Sequence, residues 1–138
     1  STITDETLVN ITDTGYIPDN SFEIISNADF YIFESNHDTD MELNSPRPAY
    51  LIKRNMSDTG HLNNIDSSYY LSLIVGNKTK TILFAHLSRD CNREDLVLKA
   101  YKDVFLAQKG SIPDIEVYCL HQDLPTFIQT KVKWNIHL

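Results

Sequence analysis

Four short apolar runs have the length and composition of buried β-strands, at residues 8–12, 30–33, 81–85 and 115–120. They are rich in β-branched and aromatic residues, as strands of parallel sheets are. Segment 128–138 alternates between apolar and polar positions, which is typical of an edge strand. The pattern therefore predicts a sheet built from these five segments.

Apolar residues recur at helical spacing between these runs, in one series of Ile65, Tyr69 and Leu73 and another of Leu96, Val97, Ala100, Val104 and Phe105. Asn92 is placed to cap the second helix, and polar residues 19–21 are placed to cap a brief helix at 22–25. Strands that alternate with helices predict the α/β layered class.

Length and hydropathy favour one compact domain over residues 1–138. A chain of 138 residues that is 41% hydrophobic can bury a substantial core. Its apolar runs are far shorter than the roughly 20 residues that a membrane span needs, and its first residues lack the pattern of a secretory signal. We expect a soluble, cytoplasmic protein without a membrane partner.

Cysteine content and charge exclude some classes of protein. Cys91 and Cys119 are too few for a disulfide framework and are interpreted as reduced thiols. The formal net charge of -7 disfavours broad electrostatic attachment to nucleic acid or anionic membrane. It does not exclude a nuclease, because bound divalent cations would add positive charge where a substrate phosphate lies.

The candidate chemistry lies in polar clusters that follow apolar runs, at residues 12–15, 34–38, 57–61 and 85–88. Carboxylates and imidazoles in these clusters would project from one edge of the sheet, as a metal-assisted hydrolase requires. The chain has no Gly-rich phosphate loop and no Gly-x-Ser-x-Gly motif, which disfavours kinases, dehydrogenases and serine hydrolases.

The four central residues of these clusters each have two interpretations. Asp13 is either a metal ligand or the polar residue of a simple turn. His86 is either a ligand or a half-buried histidine bonded to a carbonyl. Glu34 and His61 would form a general acid pair if their turns meet, with the carboxylate holding the imidazole.

Four further polar residues could contact a phosphate. His37 and Asp38 could bind it, support the Glu34 loop, or form only a polar turn. Ser57 and Ser88 have the same ambiguity.

These clusters, taken in order, resemble the C-terminal half of a metallo-β-lactamase-fold hydrolase of the YycJ-like (WalJ) branch. The resemblance is carried by Asp13-Thr14-Gly15, Glu34-Ser35-Asn36-His37-Asp38, Ser57-Asp58-Thr59-Gly60-His61-Leu62-Asn63-Asn64 and Leu83-Phe84-Ala85-His86-Leu87-Ser88. Asn63 stands where a serine is expected, which is a mild departure.

The resemblance implies one half of an αββα sandwich that holds two metal ions, zinc or manganese, between its sheets. Asp13 would bridge the metals, His86 would be the last histidine ligand, and Glu34 with His61 would be the catalytic acid dyad. His37, Asp38, Ser57 and Ser88 are then the candidate substrate-binding residues. The branch is linked to 5′-to-3′ exonuclease action on DNA.

The family's His-x-His-x-Asp-His segment precedes the bridging aspartate, and it does not occur in this chain. Two ligands cannot complete a dimetal centre. We therefore expect an N-terminal half to lie outside this sequence, with the exposed inner face of the sheet covered by that half or by self-association. The alternatives are an inactive fragment or a non-catalytic module that binds a partner or nucleic acid. Thioester or lactam hydrolysis is a weaker interpretation.

Overall fold

The computed structural model describes residues 6–12, 14–56 and 60–120, and the backbone of 134–137. The strands are β1 (Leu8–Ile11), β2 (Phe30–Glu34), β3 (Thr81–Ala85), β4 (Glu116–Cys119) and β5 (Trp134–His137). The helices are α1 (Phe22–Ile25), α2 (Thr39–Leu43), α3 (Ala49–Asn55), α4 (Asn64–Ile74) and α5 (Glu94–Lys109), and a 3₁₀ turn spans Asp19–Ser21. The predicted α/β class is confirmed.

The strands form one five-stranded sheet in the order β4-β3-β2-β1-β5, and every neighbouring pair is parallel. Leu8, Phe30, Thr81 and Glu116 lie side by side in register. The C-terminal strand is at the edge beside β1, as predicted. Because the strands run the same way, the loops that follow β2 and β3 meet at the same edge of the sheet.

One face of the sheet carries the hydrophobic core. Tyr31, Phe33, Ile82 and Phe84 project from β2 and β3 and are completely buried. Apolar side chains of α4 and α5 pack against them, among them Leu71, Ile74, Val97 and Phe105. This layer of helices on a parallel sheet fixes the strand ends that carry the polar loops.

The opposite face is only partly open, in contrast to the exposed inner face predicted from the sequence. Side chains alternate along a strand, so Leu8, Leu83 and Tyr118 share this second face. Leu8 and Leu83 are each 1% exposed, whereas Tyr118 is 51% exposed. Phe30 and Ile32 of the central strand β2 are half-buried on the same face, so this face is covered in places and accessible at the β4 edge.

Helix α5 packs through Val97, Tyr101 and Phe105, which lie on one stripe and are buried. It ends at Gly110, whose φ of 76° is the left-handed conformation that terminates many helices. The prediction that Asn92 caps α5 is wrong, because the cap position is Arg93 and Asn92 is bonded elsewhere. The predicted capping of α1 by residues 19–21 is also wrong, since Ser21 makes no side-chain cap bond.

Helix α4 forms where the apolar spacing predicted it, but the apolar series faces outward. Ile65, Tyr69 and Leu73 are 57%, 43% and 44% exposed. The buried side of the helix is instead formed by Ser67, Ser68, Leu71, Ser72 and Ile74, with Asn64 at its start. Within the described residues, no helix combines the length and apolar composition needed to cross a bilayer.

Candidate active site

A buried carboxylate at the end of β2 lies at the centre of the candidate site. Glu34 is 0% exposed, and its Oε1 lies 2.9 Å from Nδ1 of His61 and 3.2 Å from Nδ1 of His86. Its Oε2 accepts a hydrogen bond from the Leu62 amide at 3.1 Å. Because a carboxylate only accepts, each imidazole donates from Nδ1, which makes Nε2 the nitrogen for chemistry.

Both imidazoles are accessible although the carboxylate between them is not. The side chain of His61 is 33% exposed and that of His86 is 43% exposed. The site therefore combines a fixed, buried acceptor with two histidines that a ligand can reach.

A close backbone approach fixes the His61 loop. A Cβ on Gly60 would lie 2.3 Å from the Arg54 carbonyl oxygen and 2.6 Å from that of Asn55, so only glycine fits against the end of α3. The His61 amide then donates to the Asn55 carbonyl at 3.2 Å. This contact brings the imidazole to Glu34.

A strained backbone fixes His86. Its φ is 58°, a left-handed conformation that is uncommon for a residue with a side chain. The Asn36 side chain donates from Nδ2 to the His86 carbonyl at 2.8 Å, and so holds the peptide in that conformation. The backbone of Asn36 also donates to Leu62 O at 2.9 Å and accepts from Ser88 N at 2.7 Å. Asn36 thus joins both histidine loops to the segment that follows β2.

A network of buried side-chain amides holds these loops in place. Ser35 Oγ donates to Asn64 Oδ1 at 2.6 Å, and the side-chain amides of Asn64 and Asn92 exchange two hydrogen bonds of 2.8 Å. Asn92 also donates to the Ser35 carbonyl at 2.9 Å. These polar groups are buried and satisfied, so the network fixes α4 and α5 relative to the end of β2.

A second buried carboxylate, Glu42, anchors the neighbouring helices α2 and α3. It accepts from Asn55 Nδ2 at 3.0 Å and from Arg47 Nη1 at 3.3 Å. Burial alone would raise the pKa of Glu42, but bonds from Asn55 and Cys91 and the charge of Arg47 lower it below its usual value. The same burial raises the pKa of the Cys91 thiol, with the Glu42 contact acting in the same direction. Cys91 is therefore a structural thiol.

The structure brings Glu34, His61 and His86 together, and it gives the other candidates different surroundings. Asp38 accepts from the Met41 amide at 3.0 Å and caps α2. Ser88 Oγ accepts from Arg47 Nη2 at 3.3 Å and from the Cys91 amide at 3.2 Å.

His37 is buried beside these residues. Its Nδ1 lies 3.3 Å from Asn36 Oδ1, and its Nε2 has no hydrogen-bond partner among the described residues. The backbone carbonyl of His37 accepts from the Asn64 amide at 2.9 Å, which joins this segment to the start of α4. Asp13 and Ser57 lie outside the described residues.

Asn36, Asn64 and Asn92 were missed as site-supporting residues. The available signals were the positions of Asn36 inside the Glu-Ser-Asn-His-Asp cluster and of Asn64 at the end of the 57–64 segment.

Within the described residues, no group of three or more histidine, cysteine, aspartate or glutamate side chains could hold a metal ion. The surroundings of His86 nevertheless fit a ligand, because metal-binding histidines usually donate their second ring N–H to a carboxylate, as His86 does to Glu34.

Known proteins resemble this chain in sequence and in fold, although no family model matches it. The chain is 37% identical over 124 residues to exodeoxyribonuclease WalJ of Streptococcus pneumoniae serotype 2, a match that covers 88% of this chain and 46% of that protein. Exodeoxyribonuclease YycJ of Bacillus anthracis is 36% identical over 124 residues, covering 88% and 47%. The chain thus spans about half the length of the curated relatives it matches.

The metallo-β-lactamase fold protein YhfI of Bacillus subtilis has a similar fold, with a TM-score of 0.51 and 19% identity over 82% of this chain and 36% of that chain. This likeness confirms the predicted fold class. The two exodeoxyribonucleases confirm the sequence resemblance drawn from the polar clusters.

Proposed function

We propose that this chain, which has a metallo-β-lactamase-type fold and is similar to the WalJ and YycJ exodeoxyribonucleases, forms part of a metal-dependent phosphodiester hydrolase that digests DNA from the 5′ end. The observation that carries the proposal is the Glu34 carboxylate, whose Oε1 accepts from Nδ1 of both His61 and His86. This arrangement provides one oriented imidazole for proton transfer and one for metal binding.

His86 and Asp13 are the residues of this chain that would ligate two divalent ions, zinc or manganese. The support for His86 is its carboxylate partner at Nδ1 and the Asn36 bond that holds its backbone. The remaining ligands would come from the histidine-rich segment that the family carries before its bridging aspartate. When bound, such ions activate water for attack on the phosphorus.

His61 supplies the proton for the leaving oxygen. Glu34 holds the Nδ1 proton of this imidazole at 2.9 Å, which leaves Nε2 to carry the transferred proton. Since the His61 side chain is one-third exposed, a phosphodiester can approach it.

The acid role is tested with His61→Ala in a protein that contains all its metal ligands. We expect DNA turnover to fall roughly 100-fold or more, because general acid catalysis contributes about that factor, while metal content stays at the wild-type value. The assay uses duplex DNA labelled at either the 5′ or the 3′ end, together with elemental analysis of the purified variant. Lys109→Ala, at the exposed end of α5, is the control. Unchanged turnover in His61→Ala would contradict the acid assignment.

A non-catalytic module that binds a partner is the second candidate function, and the outward apolar face of α4 favours it. Metal content and hydrolysis of a generic phosphodiester, measured on a longer protein that contains this chain, distinguish the two candidates. A longer protein that binds metal and hydrolyses a generic phosphodiester supports the hydrolase. One that binds no metal and shows no turnover supports the module.

A further inference from the structure

Helix α4 exposes three large apolar side chains and buries three serines beside Leu71 and Ile74. Ile65, Tyr69 and Leu73 follow each other at intervals of four residues on the outer surface and are 57%, 43% and 44% exposed. Ser67 and Ser68 point inward, and their hydroxyls have no hydrogen-bond partner among the described residues. A surface helix normally has the opposite arrangement, so the outer stripe of α4 is suited to a contact outside this chain.

Ile65 and Tyr69 of this stripe line one side of a groove between α4 and α5. Leu96, Ala100 and Val104 of α5 line the other wall, and the groove has a volume of about 760 Å³. A volume of that size accommodates several large side chains. We call this feature the α4/α5 groove; apolar side chains of both helices line it together with polar and charged ones.

The ends and rim of the α4/α5 groove are acidic. Asp38, Asp40, Asp66 and Asp103 lie around it, with Lys99 as the basic side chain in the lining. Lys99 forms an ion pair with Asp103 at 2.6 Å. Among the described residues, the lining contains no second basic side chain to pair with Asp38, Asp40 and Asp66. This charge repels nucleic acid and also repels a second copy of a chain whose net charge is -7.

We propose that the α4/α5 groove binds a basic amphipathic helix of a partner protein. The apolar face of that helix would lie against Ile65, Tyr69 and Val104, and its lysines or arginines would pair with Asp40 and Asp66. The proposal does not depend on the hydrolase function, because the groove lies on the helical layer and uses neither His61 nor His86. It identifies a protein-binding surface on a chain whose relatives are named for DNA hydrolysis alone.

The test measures binding of a synthetic helical peptide of about 18 residues, about five helical turns, with leucines on one face and lysines on the other. Fluorescence anisotropy of the labelled peptide is followed during titration with this chain. We expect Ile65→Ser and Tyr69→Ser each to weaken binding at least tenfold, and Asp40→Asn to weaken it and reduce its salt dependence. A peptide of the same composition with the two residue types mixed on both faces should bind at least tenfold more weakly.

Ile24→Ser and Tyr50→Ser are the matched controls, because these side chains are 63% and 76% exposed outside the groove. Their peptide affinity should equal that of the wild type. The proposal is overturned if groove and control variants bind alike, or if both peptides bind alike. It is also overturned if sedimentation shows a dimer that Ile65→Ser dissociates, since the stripe would then join two copies.

Discussion

Removing the Glu34 carboxylate from water costs free energy that its N–H donors must offset. The donors are the Nδ1 groups of His61 and His86 and the backbone amide of Leu62. All three donors are distant from Glu34 in sequence, by 27, 28 and 52 residues. The geometry of the site at the residue scale therefore depends on how firmly the two histidine loops are held in place.

Replacing Gly60 with alanine tests this dependence for the His61 loop. The new Cβ would lie 2.3 Å from the Arg54 carbonyl oxygen, so the loop must move. We expect Gly60→Ala to lower the free energy of unfolding by about 2–3 kcal/mol, a typical cost of overpacking. The Nδ1 proton signal of His61 that arises from its bond to Glu34 should also be lost from the NMR spectrum.

Gly110→Ala is the matched control, because no atom lies near its Cβ position and the cost arises from its φ of 76° alone. We expect a loss of about 1 kcal/mol with the His61 signal intact. Equal effects of the two substitutions on the His61 signal would show that Gly60 does not fix the loop.

The sequence predicted the central residues that meet in the site better than the residues that support them. Glu34 and His86 could be identified because each lies at the end of an apolar run that forms a strand of one parallel sheet, whereas His61 follows helix α3 and was identified from the resemblance of its segment to the family motif. The role of Asn36 could not, since it depends on the left-handed backbone of His86, which no local pattern announces. Asn92 was mistaken for a helix cap for the same reason: its partner, Asn64, is 28 residues away.

At the scale of single elements, α4 shows how helical spacing and burial can disagree. Periodicity correctly predicted a helix here, but it cannot tell which side of the helix meets the sheet. The inward side carries Leu71 and Ile74 together with serines small enough to approach the sheet closely. Two contacts determine which side of α4 faces the sheet. The helix packs on α5, and the Tyr31 hydroxyl donates a hydrogen bond to the Ile74 carbonyl at 3.2 Å.

The buried serines of α4 lead to a prediction of increased stability. The Ser68 hydroxyl is buried and has no hydrogen-bond partner in the part of the chain that the structure describes, and alanine is also the better helix former. We expect Ser68→Ala to raise the free energy of unfolding by about 0.5–1 kcal/mol, measured by urea denaturation.

Ser72→Ala is the comparison, because Ser72 is equally buried but donates to the Tyr69 carbonyl at 2.6 Å. Loss of that bond should cancel the gain in helix propensity or exceed it. A Ser68→Ala protein no more stable than Ser72→Ala would contradict this account of the inward face.

At the scale of the whole molecule, two buried titratable groups next to the site make folding sensitive to acid. Burial lowers the pKa of His37, although the negative charge of Glu42 partly opposes this. The other charged or titratable groups that act on it are His61, Glu34 and Asp38. The pKa of Glu42 is lowered as well, through its bonds with Asn55 and Cys91 and the charge of Arg47.

Both shifts make the folded protein bind fewer protons than the unfolded chain, in two different pH windows. For His37, stability is lost as the pH falls below the ordinary value of 6.5 towards its lowered pKa. For Glu42, the loss begins below its ordinary value of 4.5. Each group changes the free energy of unfolding by at most about 1.4 kcal/mol per pH unit within its window.

Urea denaturation between pH 8 and pH 3 separates the two contributions. We expect His37→Gln to flatten the decline in stability just below pH 6.5 and to leave the decline below pH 4.5 unchanged, because only the imidazole titrates in the upper window. Glu42→Gln should have the opposite pattern, although its overall stability will be lower because Arg47 loses its ion pair with the Glu42 carboxylate. A His37→Gln protein with the wild-type slope between pH 6.5 and pH 5 would show that this imidazole is protonated to the same extent in the folded and unfolded chains, and the loop of Glu34 would then tolerate a charge beside it.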